Sequence, residues 1–281
     1  MYYNSKQIRG VAQPGSASGL GPEGRRFKSC RPDHLNTMSK NKLRYFSFYY
    51  WLRKLSFSGL FQNFFFLSDT YKRKVVFKTI HSSNHWRDYN KPRVNESVSG
   101  TGSDLKNDSG LVHDIKKFIS EFEVKKILDL GCGDFNWMKF IVLNNNNITN
   151  YLGLDIVDKI INFNNINYKN NEVSFQTSDI ILEDLPESYD LVIIRDLFIH
   201  LKNDEILKII EKINNTSIKF LAVTTYHTTE VNINPNRFGH HRYINMELDP
   251  FYLDRPFKIF DDNENQHKPR KLYIYKLNEK S

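Results

Sequence analysis

Two glycines separated by one residue, with an acidic residue on either side, form the most chemically informative part of this sequence. Residues 127–134 are Ile-Leu-Asp-Leu-Gly-Cys-Gly-Asp. Gly131 and Gly133 can adopt backbone angles that other residues avoid, and they have no Cβ to keep a ligand away from the backbone. Because an apolar run precedes them, we expect a turn at the end of a buried strand, where it can bind a small polar ligand.

Further polar side chains follow the next two apolar runs. Asp155 ends the sequence Tyr-Leu-Gly-Leu-Asp and lies 22 residues after Gly133. A carboxylate can accept two hydrogen bonds, which suits the paired hydroxyl groups of a ribose. Asp179 and Ile180 come directly after the third apolar run. These spacings predict that several strand ends contribute side chains to one ligand site.

The fourth apolar run ends in Arg195-Asp196. His200 follows Asp196 by one helical turn, so the two side chains can face the same way. Asp196 and His200 are therefore candidate general bases. Arg195 is a candidate for orienting an anionic or hydroxylated ligand.

The elements that must position these residues are visible as an alternation of strand-length apolar runs and helical patterns. This alternation predicts a mostly parallel α/β sheet flanked by helices, with the carboxyl ends of its strands around one crevice. The predicted helices cover residues 111–122, 135–141 and 206–213. The predicted strands cover residues 127–130, 151–155, 173–176, 191–194, 220–224, 257–260 and 272–275.

Charge is distributed unevenly along the chain. Residues 1–37 contribute half of the net charge of +8, and no dense block of Lys and Arg occurs in the rest. This distribution predicts no nucleic-acid partner. The two cysteines, Cys30 and Cys132, lack the spacing of a zinc site and indicate a reducing, cytoplasmic environment.

Composition divides the chain into three predicted parts. Residues 1–37 are rich in Gly and Pro and resemble a translated transfer-RNA gene, which predicts that translation starts at Met38. A basic disordered arm is the alternative for this part. Residues 38–80 are predicted to be a helical, aromatic and basic extension, and residues 81–281 the main domain.

The aromatic segment 41–67 raises the question of membrane contact. Arg53 and Lys54 interrupt it, so no uncharged run approaches the roughly 20 residues that a transmembrane helix needs. We expect amphipathic helices that pack on the domain, with a helix at the membrane surface as the alternative.

The glycine turn also distinguishes between two kinds of cofactor. A dinucleotide site of the G-x-G-x-x-G type needs a third glycine where this sequence has Asn136. The sequence instead resembles the hydrophobic-x-D-x-G-x-G motif of class I S-adenosylmethionine-dependent methyltransferases. It is most similar to a small bacterial group of unassigned substrate, through residues 99–103, 131–138, 195–201, 224–225, 242–245 and 250–251.

The resemblance implies a Rossmann-like class I methyltransferase fold with a seven-stranded sheet, and a set of cofactor contacts. Asp129 would lie near the methionine part, Asp155 at the ribose, and Asp179 with Ile180 at the adenine. The loop 99–103 would fold over the carboxylate of the cofactor. The implied cofactor contacts are Gly100, Ser103, Asp129, Gly131, Cys132, Gly133, Asn136, Trp137, Asp155, Ile156, Asp179, Ile180 and Arg195.

A long segment with little periodicity, residues 227–256, follows the fifth predicted strand. Such a segment inside a compact domain is usually functional. We interpret it as a lid over the methyl acceptor, with Asn234, Arg242 and Asn245 as substrate-binding residues. Its three histidines have no carboxylate or cysteine ligands beside them, so no metal site is predicted.

Together these residues predict S-adenosylmethionine-dependent methyl transfer to a small polar molecule, which by the resemblance would be a sugar or glycan precursor. Methyl transfer requires alignment of a nucleophile with the methyl carbon, and often a base. Asp196, His200 and Arg195 are the predicted catalytic residues. Two alternatives stay open, a non-catalytic cofactor-binding or partner-binding protein and an NAD(P)-dependent oxidoreductase. The sequence does not determine the oligomeric state.

Overall fold

The computed structural model describes residues 68–83, 85–86, 97–143, 145–253, 255–262 and 269–277. The predictions for residues 1–37 and 41–67 therefore lie outside the described residues. Within the described ranges, no helix has the length and apolar character needed to cross a membrane.

Seven strands form one sheet in the order β3-β2-β1-β4-β5-β7-β6. The first five strands pair in parallel, and β7 pairs antiparallel with both β5 and β6. The strands are β1 (Lys126–Leu130), β2 (Asn150–Asp155), β3 (Val173–Thr177), β4 (Leu191–Ile194), β5 (Phe220–Thr225), β6 (Lys258–Asp261) and β7 (Lys271–Lys276). The predicted mostly parallel seven-stranded, Rossmann-like fold is confirmed.

The strand order determines where a ligand can bind. β1 lies between β2 and β4, so the chain runs outward from β1 in one direction and then returns to the other side. Ligands of open α/β sheets bind at the carboxyl ends of the strands, at this reversal. Because β7 is antiparallel, its first residues lie at the same edge of the sheet.

Five helices flank the sheet within the described residues. They are α1 (Asp69–Ser82), α2 (Gly110–Glu121), α3 (Lys139–Val142), α4 (Asp158–Tyr168) and α5 (Asn203–Asn214). Serine hydroxyls cap the first two, because Ser68 accepts a hydrogen bond from Tyr71 N and Ser109 accepts one from Val112 N. The predicted boundary between residues 80 and 81 falls inside α1.

The helix predicted over residues 135–141 is wrong in its first half. Phe135 has a φ of +59°, which a right-handed helix does not tolerate, and only α3 is helical. The ring of Phe135 is fully buried, with its centroid 5.0 Å from those of Tyr151 and Phe175. The apolar spacing reflected burial of a turn in the core rather than helical periodicity.

Apolar side chains fill both sides of the sheet. β1 places Leu128 and Leu130 in one cluster and Ile127 in the other, as expected for a strand buried on both faces. The cluster that contains Leu128 also contains Val76 and Ile80 of α1. Helix α1 therefore packs in the same apolar cluster as Leu128 and Leu130 of β1.

Candidate active site

A pocket lies at the carboxyl edge of the sheet. Of the predicted cofactor contacts, all but Gly100 and Asn136 line it, and Asp196 and His200 line it as well. The predicted residues that the fold brings together here are Ser103, Asp129, Gly131, Cys132, Gly133, Trp137, Asp155, Ile156, Asp179, Ile180, Arg195, Asp196 and His200.

The glycine turn has the backbone geometry that its sequence predicted. Gly131 has a φ of +75° and Gly133 a φ of +53°, which side chains rarely allow. A Cβ on Gly133 would lie 2.4 Å from Ser99 Oγ. Gly133 N donates a hydrogen bond of 3.1 Å to the carboxylate of Asp155, so the turn and the end of β2 hold each other in place.

The loop of residues 97–104 is bound to the glycine turn through Asp134. The Asp134 carboxylate accepts hydrogen bonds from Ser97 Oγ at 2.9 Å and Val98 N at 2.8 Å, and Asp134 N donates to Ser99 Oγ at 3.0 Å. Asp134 lies in the octapeptide but was not among the predicted site residues. Its position directly after the second glycine was the available signal.

Gly100 and Asn136 serve this loop rather than the pocket wall. Asn136 Nδ2 donates a hydrogen bond of 2.9 Å to Ser103 O. Gly100 has a φ of +105°, and a Cβ there would lie 3.4 Å from Trp86 Cβ. Both residues thus support the side of the pocket without lining it, while Ser103 does line it.

Asp129 and Asp155 are carboxyl groups in a poorly solvated site. Asp129 accepts a hydrogen bond of 2.7 Å from Tyr151 Oη, and burial raises its pKa to about 7. Burial also raises the pKa of Asp155 to about 6, although Val157 N and Gly133 N donate hydrogen bonds to it. A ligand with cationic groups would favour the ionised form of both carboxyl groups.

The Asp179 carboxylate is bound to a cation from α1. Arg73 Nη2 lies 2.7 Å from Asp179 Oδ2, and Arg73 Nη1 pairs with Glu205 at the start of α5. The other Asp179 oxygen accepts a hydrogen bond of 3.2 Å from Ile181 N. Asp179 therefore lines the pocket as part of an ion pair, and its predicted contact with the adenine amino group remains a prediction. Its neighbour Ile180 is buried in the pocket wall.

Four charged residues form a network at the end of β4. Two of them directly follow β4, and the other two lie at the ends of β6 and β7. Arg195 donates two hydrogen bonds to the Asp262 carboxylate, at 2.9 and 2.8 Å. Arg270 donates to the same carboxylate at 2.8 Å and pairs with Asp196 through its other terminal nitrogen. We refer to Arg195, Asp196, Asp262 and Arg270 as the charge network.

The charge network changes what Arg195 and Asp196 can do. Two nitrogens of Arg195 are committed to Asp262, and its guanidinium lies 4.8 Å from the ring centroid of Trp137, so this geometry does not support a role in orienting the acceptor. Burial raises the pKa of Asp196, but Arg270 and Arg195 outweigh it, so the pKa lies below its ordinary value of 3.8. Asp196 is therefore ionised and a weak base.

His200 is enclosed by aromatic rings. Its ring stacks on Trp86 with centroids 4.7 Å apart and meets the edge of Phe77 at 6.2 Å. Burial lowers the pKa of His200 to about 4, so the imidazole is uncharged at neutral pH. Its Nδ1 is buried and has no hydrogen-bond partner among the described residues. Its predicted role as a base remains a prediction.

The predicted acceptor-binding residues of the segment 227–256 lie outside the pocket wall. Arg242 donates hydrogen bonds to Leu201 O and Asn203 Oδ1, and Asn234 Oδ1 accepts one from Asn203 N. Asn245 also bonds within its own segment. These polar groups hold the segment in place, and this geometry does not support their predicted contact with an acceptor.

No local sequence pattern indicated a role for Arg73, Trp86, Asp262 or Arg270. None follows a strand of the parallel sheet, and none has a fixed spacing from the glycine turn. Arg73 and Trp86 come from the region before the first strand. Asp262 directly follows β6, and Arg270 directly precedes β7. They reach the site only through tertiary packing.

Comparison with known proteins agrees with this fold. A family model described as a methyltransferase domain matches residues 122–251. The structure of magnesium protoporphyrin IX methyltransferase from Synechocystis PCC 6803 with bound SAM gives a TM-score of 0.53 at 15% identity, covering 75% of this chain and 98% of that one. The same enzyme with bound SAH gives 0.52 at 14% identity, covering 75% and 100%. No curated protein matches the sequence.

Proposed function

We propose that the chain carries a class I S-adenosylmethionine-dependent methyltransferase domain and transfers the methyl group of S-adenosylmethionine to a small polar acceptor. The oxidoreductase and the non-catalytic binding protein are no longer favoured, because the matched domain and the glycine spacing agree with each other. A sugar or glycan precursor is the acceptor that the sequence resemblance suggests.

The observation that supports the proposal most is that the ends of four parallel strands contribute residues to one pocket wall. Asp129 lies one residue before the end of β1, Asp155 ends β2, and Ile180 follows β3 by three residues. All three line the pocket, and each suits one part of the cofactor. β4 lies on the opposite side of β1 from β2 and β3, and it brings Asp196 to the same pocket. We therefore assign β4 to the side where the methyl group is transferred.

The residues present fit S-adenosylmethionine in charge as well as position. Its methionine part carries an ammonium and a sulfonium group, which would offset the cost of ionising the buried Asp129. Asp155 would accept hydrogen bonds from the ribose hydroxyls, and Ile180 would contact the adenine. Gly133 must lack a side chain because the covering loop approaches it through Ser99.

S-adenosylmethionine supplies a methyl group on a positively charged sulfur, which an aligned nucleophile can displace. The contribution of this chain is to bind and orient both reactants and to keep water away. Phe77, Trp86 and His200 pack together at the pocket wall and limit solvent access there.

Calorimetric titration of the full chain with S-adenosylhomocysteine and, separately, with NADH tests the cofactor assignment. We expect micromolar binding of the first ligand only. Asp155→Asn keeps the shape of the side chain but removes its charge, and it should weaken binding by about tenfold or more. Asp158→Asn is the matched control, since Asp158 is exposed and pairs with Lys78. Binding of NADH without binding of S-adenosylhomocysteine would contradict the proposal.

A further inference from the structure

We propose that the methyl acceptor is an amine, whose N–H groups donate hydrogen bonds to the Asp196 carboxylate. This inference rests on the proposed function and narrows it to one class of acceptor. It follows from the charge network, which presents one carboxylate to the pocket and, among the residues that the structure describes, leaves no strong base beside it.

Asp196 is the member of the charge network that remains accessible. Its side chain is 22% exposed, whereas the side chains of Arg195, Asp262 and Arg270 are 2%, 0% and 1% exposed. Both cations are thus turned away from solvent by pairing with Asp262 and Asp196. Arg195 also lines the pocket, but Asp196 is far more exposed and is therefore the more accessible charged group for a molecule at the end of β4.

The same pairing makes Asp196 a poor proton acceptor. Arg270 binds one of its oxygens, and Thr224 Oγ1 lies 3.4 Å from the other. A base is effective when its pKa is near the working pH, and the pKa of Asp196 is held below 3.8 by Arg270 and Arg195 against the effect of burial. Asp196 is suited to accepting a hydrogen bond and stabilising a positive charge.

His200 has the same character as Asp196. Its Nδ1 is buried without a partner among the described residues, the ring makes a hydrogen bond with the backbone of His240, and burial keeps it uncharged. An uncharged imidazole nitrogen without a proton is an acceptor only. Asp196 is therefore the accessible acceptor for a ligand that donates hydrogen bonds, and the uncharged His200 adds no competing positive charge.

These properties separate amines from hydroxyl groups as methyl acceptors. A hydroxyl oxygen is a weak nucleophile unless a base removes its proton. An uncharged amine attacks through its lone pair, forming the N–C bond while the S–C bond breaks and sulfur keeps the electron pair. The nitrogen becomes positively charged, and the product loses its extra proton to water after release. Asp196 would bind this developing charge more strongly than the uncharged amine, which is the condition for catalysis.

Trp86 and Trp137 line the same pocket, and each ring already has a partner: His200 stacks on Trp86, and the Arg195 guanidinium lies against Trp137. Asp196 is therefore the group that would attract a cationic nitrogen. The sulfonium of the cofactor is the competing cation for Asp196, so an experiment must separate the two.

The test is to saturate the full chain with S-adenosylhomocysteine at pH 8 and titrate it with ethanolamine or ethylene glycol. These probes differ only in an ammonium group in place of a hydroxyl, and the ammonium mimics nitrogen after methyl transfer. We expect saturable binding of ethanolamine by calorimetry or ligand-observed NMR, and at least tenfold weaker binding of ethylene glycol. Comparable binding of the two probes, or a preference for ethylene glycol, would overturn the proposal.

Asp196→Asn should weaken ethanolamine binding at least tenfold, whereas Asp204→Asn, an exposed control, should leave it unchanged. The affinities for S-adenosylmethionine and S-adenosylhomocysteine should change by the same factor in Asp196→Asn. If only S-adenosylmethionine binds less tightly, Asp196 serves the sulfonium and the amine proposal fails. If wild-type protein does not bind S-adenosylhomocysteine at all, the proposed function fails instead.

Discussion

Replacing Asp129 by Asn should stabilise the protein increasingly as the pH rises, because Asn resembles the protonated carboxyl group. Burial raises the pKa of Asp129 from 3.8 to about 7. At about 1.4 kcal/mol per pH unit, ionising it in the folded protein costs at most about 4 kcal/mol. The folded state binds the proton more tightly than the unfolded state, so this cost begins above pH 4 and is complete above pH 7.

The measurement is the free energy of unfolding of both proteins in urea at pH 5 and pH 8, without ligand. The advantage of Asp129→Asn over the wild type should grow by about 2–3 kcal/mol between these pH values. Asp158→Asn should show no such gain, because Lys78 lowers the pKa of Asp158. Equal differences at both pH values would refute the claim that Asp129 is destabilised by burial. The same variant should bind S-adenosylmethionine more weakly, since it lacks the charge.

Three further results are expected. Gly133→Ala places a Cβ 2.4 Å from Ser99 Oγ, so the affinity for S-adenosylhomocysteine should fall about tenfold by calorimetry. Gly110→Ala is the control, because its added Cβ would have no atom from another part of the chain within 4 Å, and this variant should keep the wild-type affinity. Arg73→Met leaves two carboxylates unpaired and should lower the free energy of unfolding by about 3–5 kcal/mol. Because burial raises the pKa of Asp155 to about 6, cofactor affinity should rise between pH 5 and pH 7, and titrations in buffers of different ionisation enthalpy should detect proton release.

The sequence was sufficient to place residues that lie at or just after the end of a parallel strand. Asp129, Gly131, Gly133 and Asp155 could be placed at the pocket because the carboxyl ends of parallel strands meet at one edge, so order along the chain predicts position in space. The helix predicted after the turn was wrong because apolar spacing reports burial. It does not show whether the backbone is helical, and Phe135 is buried in a turn.

Arg195 illustrates that local sequence spacing does not reveal the ion-pair partners of a charged residue. Arg195 was predicted to orient the acceptor because it follows β4 beside Asp196. The structure pairs it with Asp262, which is 67 residues later in the chain. Whether a cation is available to a ligand depends on its partners, and long-range partners have no signature in local spacing.

The sequence by itself therefore determined the sheet, the glycine turn and the acidic residues at the strand ends, because local patterns and chain order control these. Only the tertiary structure decided the charge state of the site. The antiparallel β7 brings Arg270 to the carboxyl edge, and α1 brings Arg73 to Asp179. Burial and ion pairing depend on the three-dimensional surroundings of each group, so they appear only once the chain has folded.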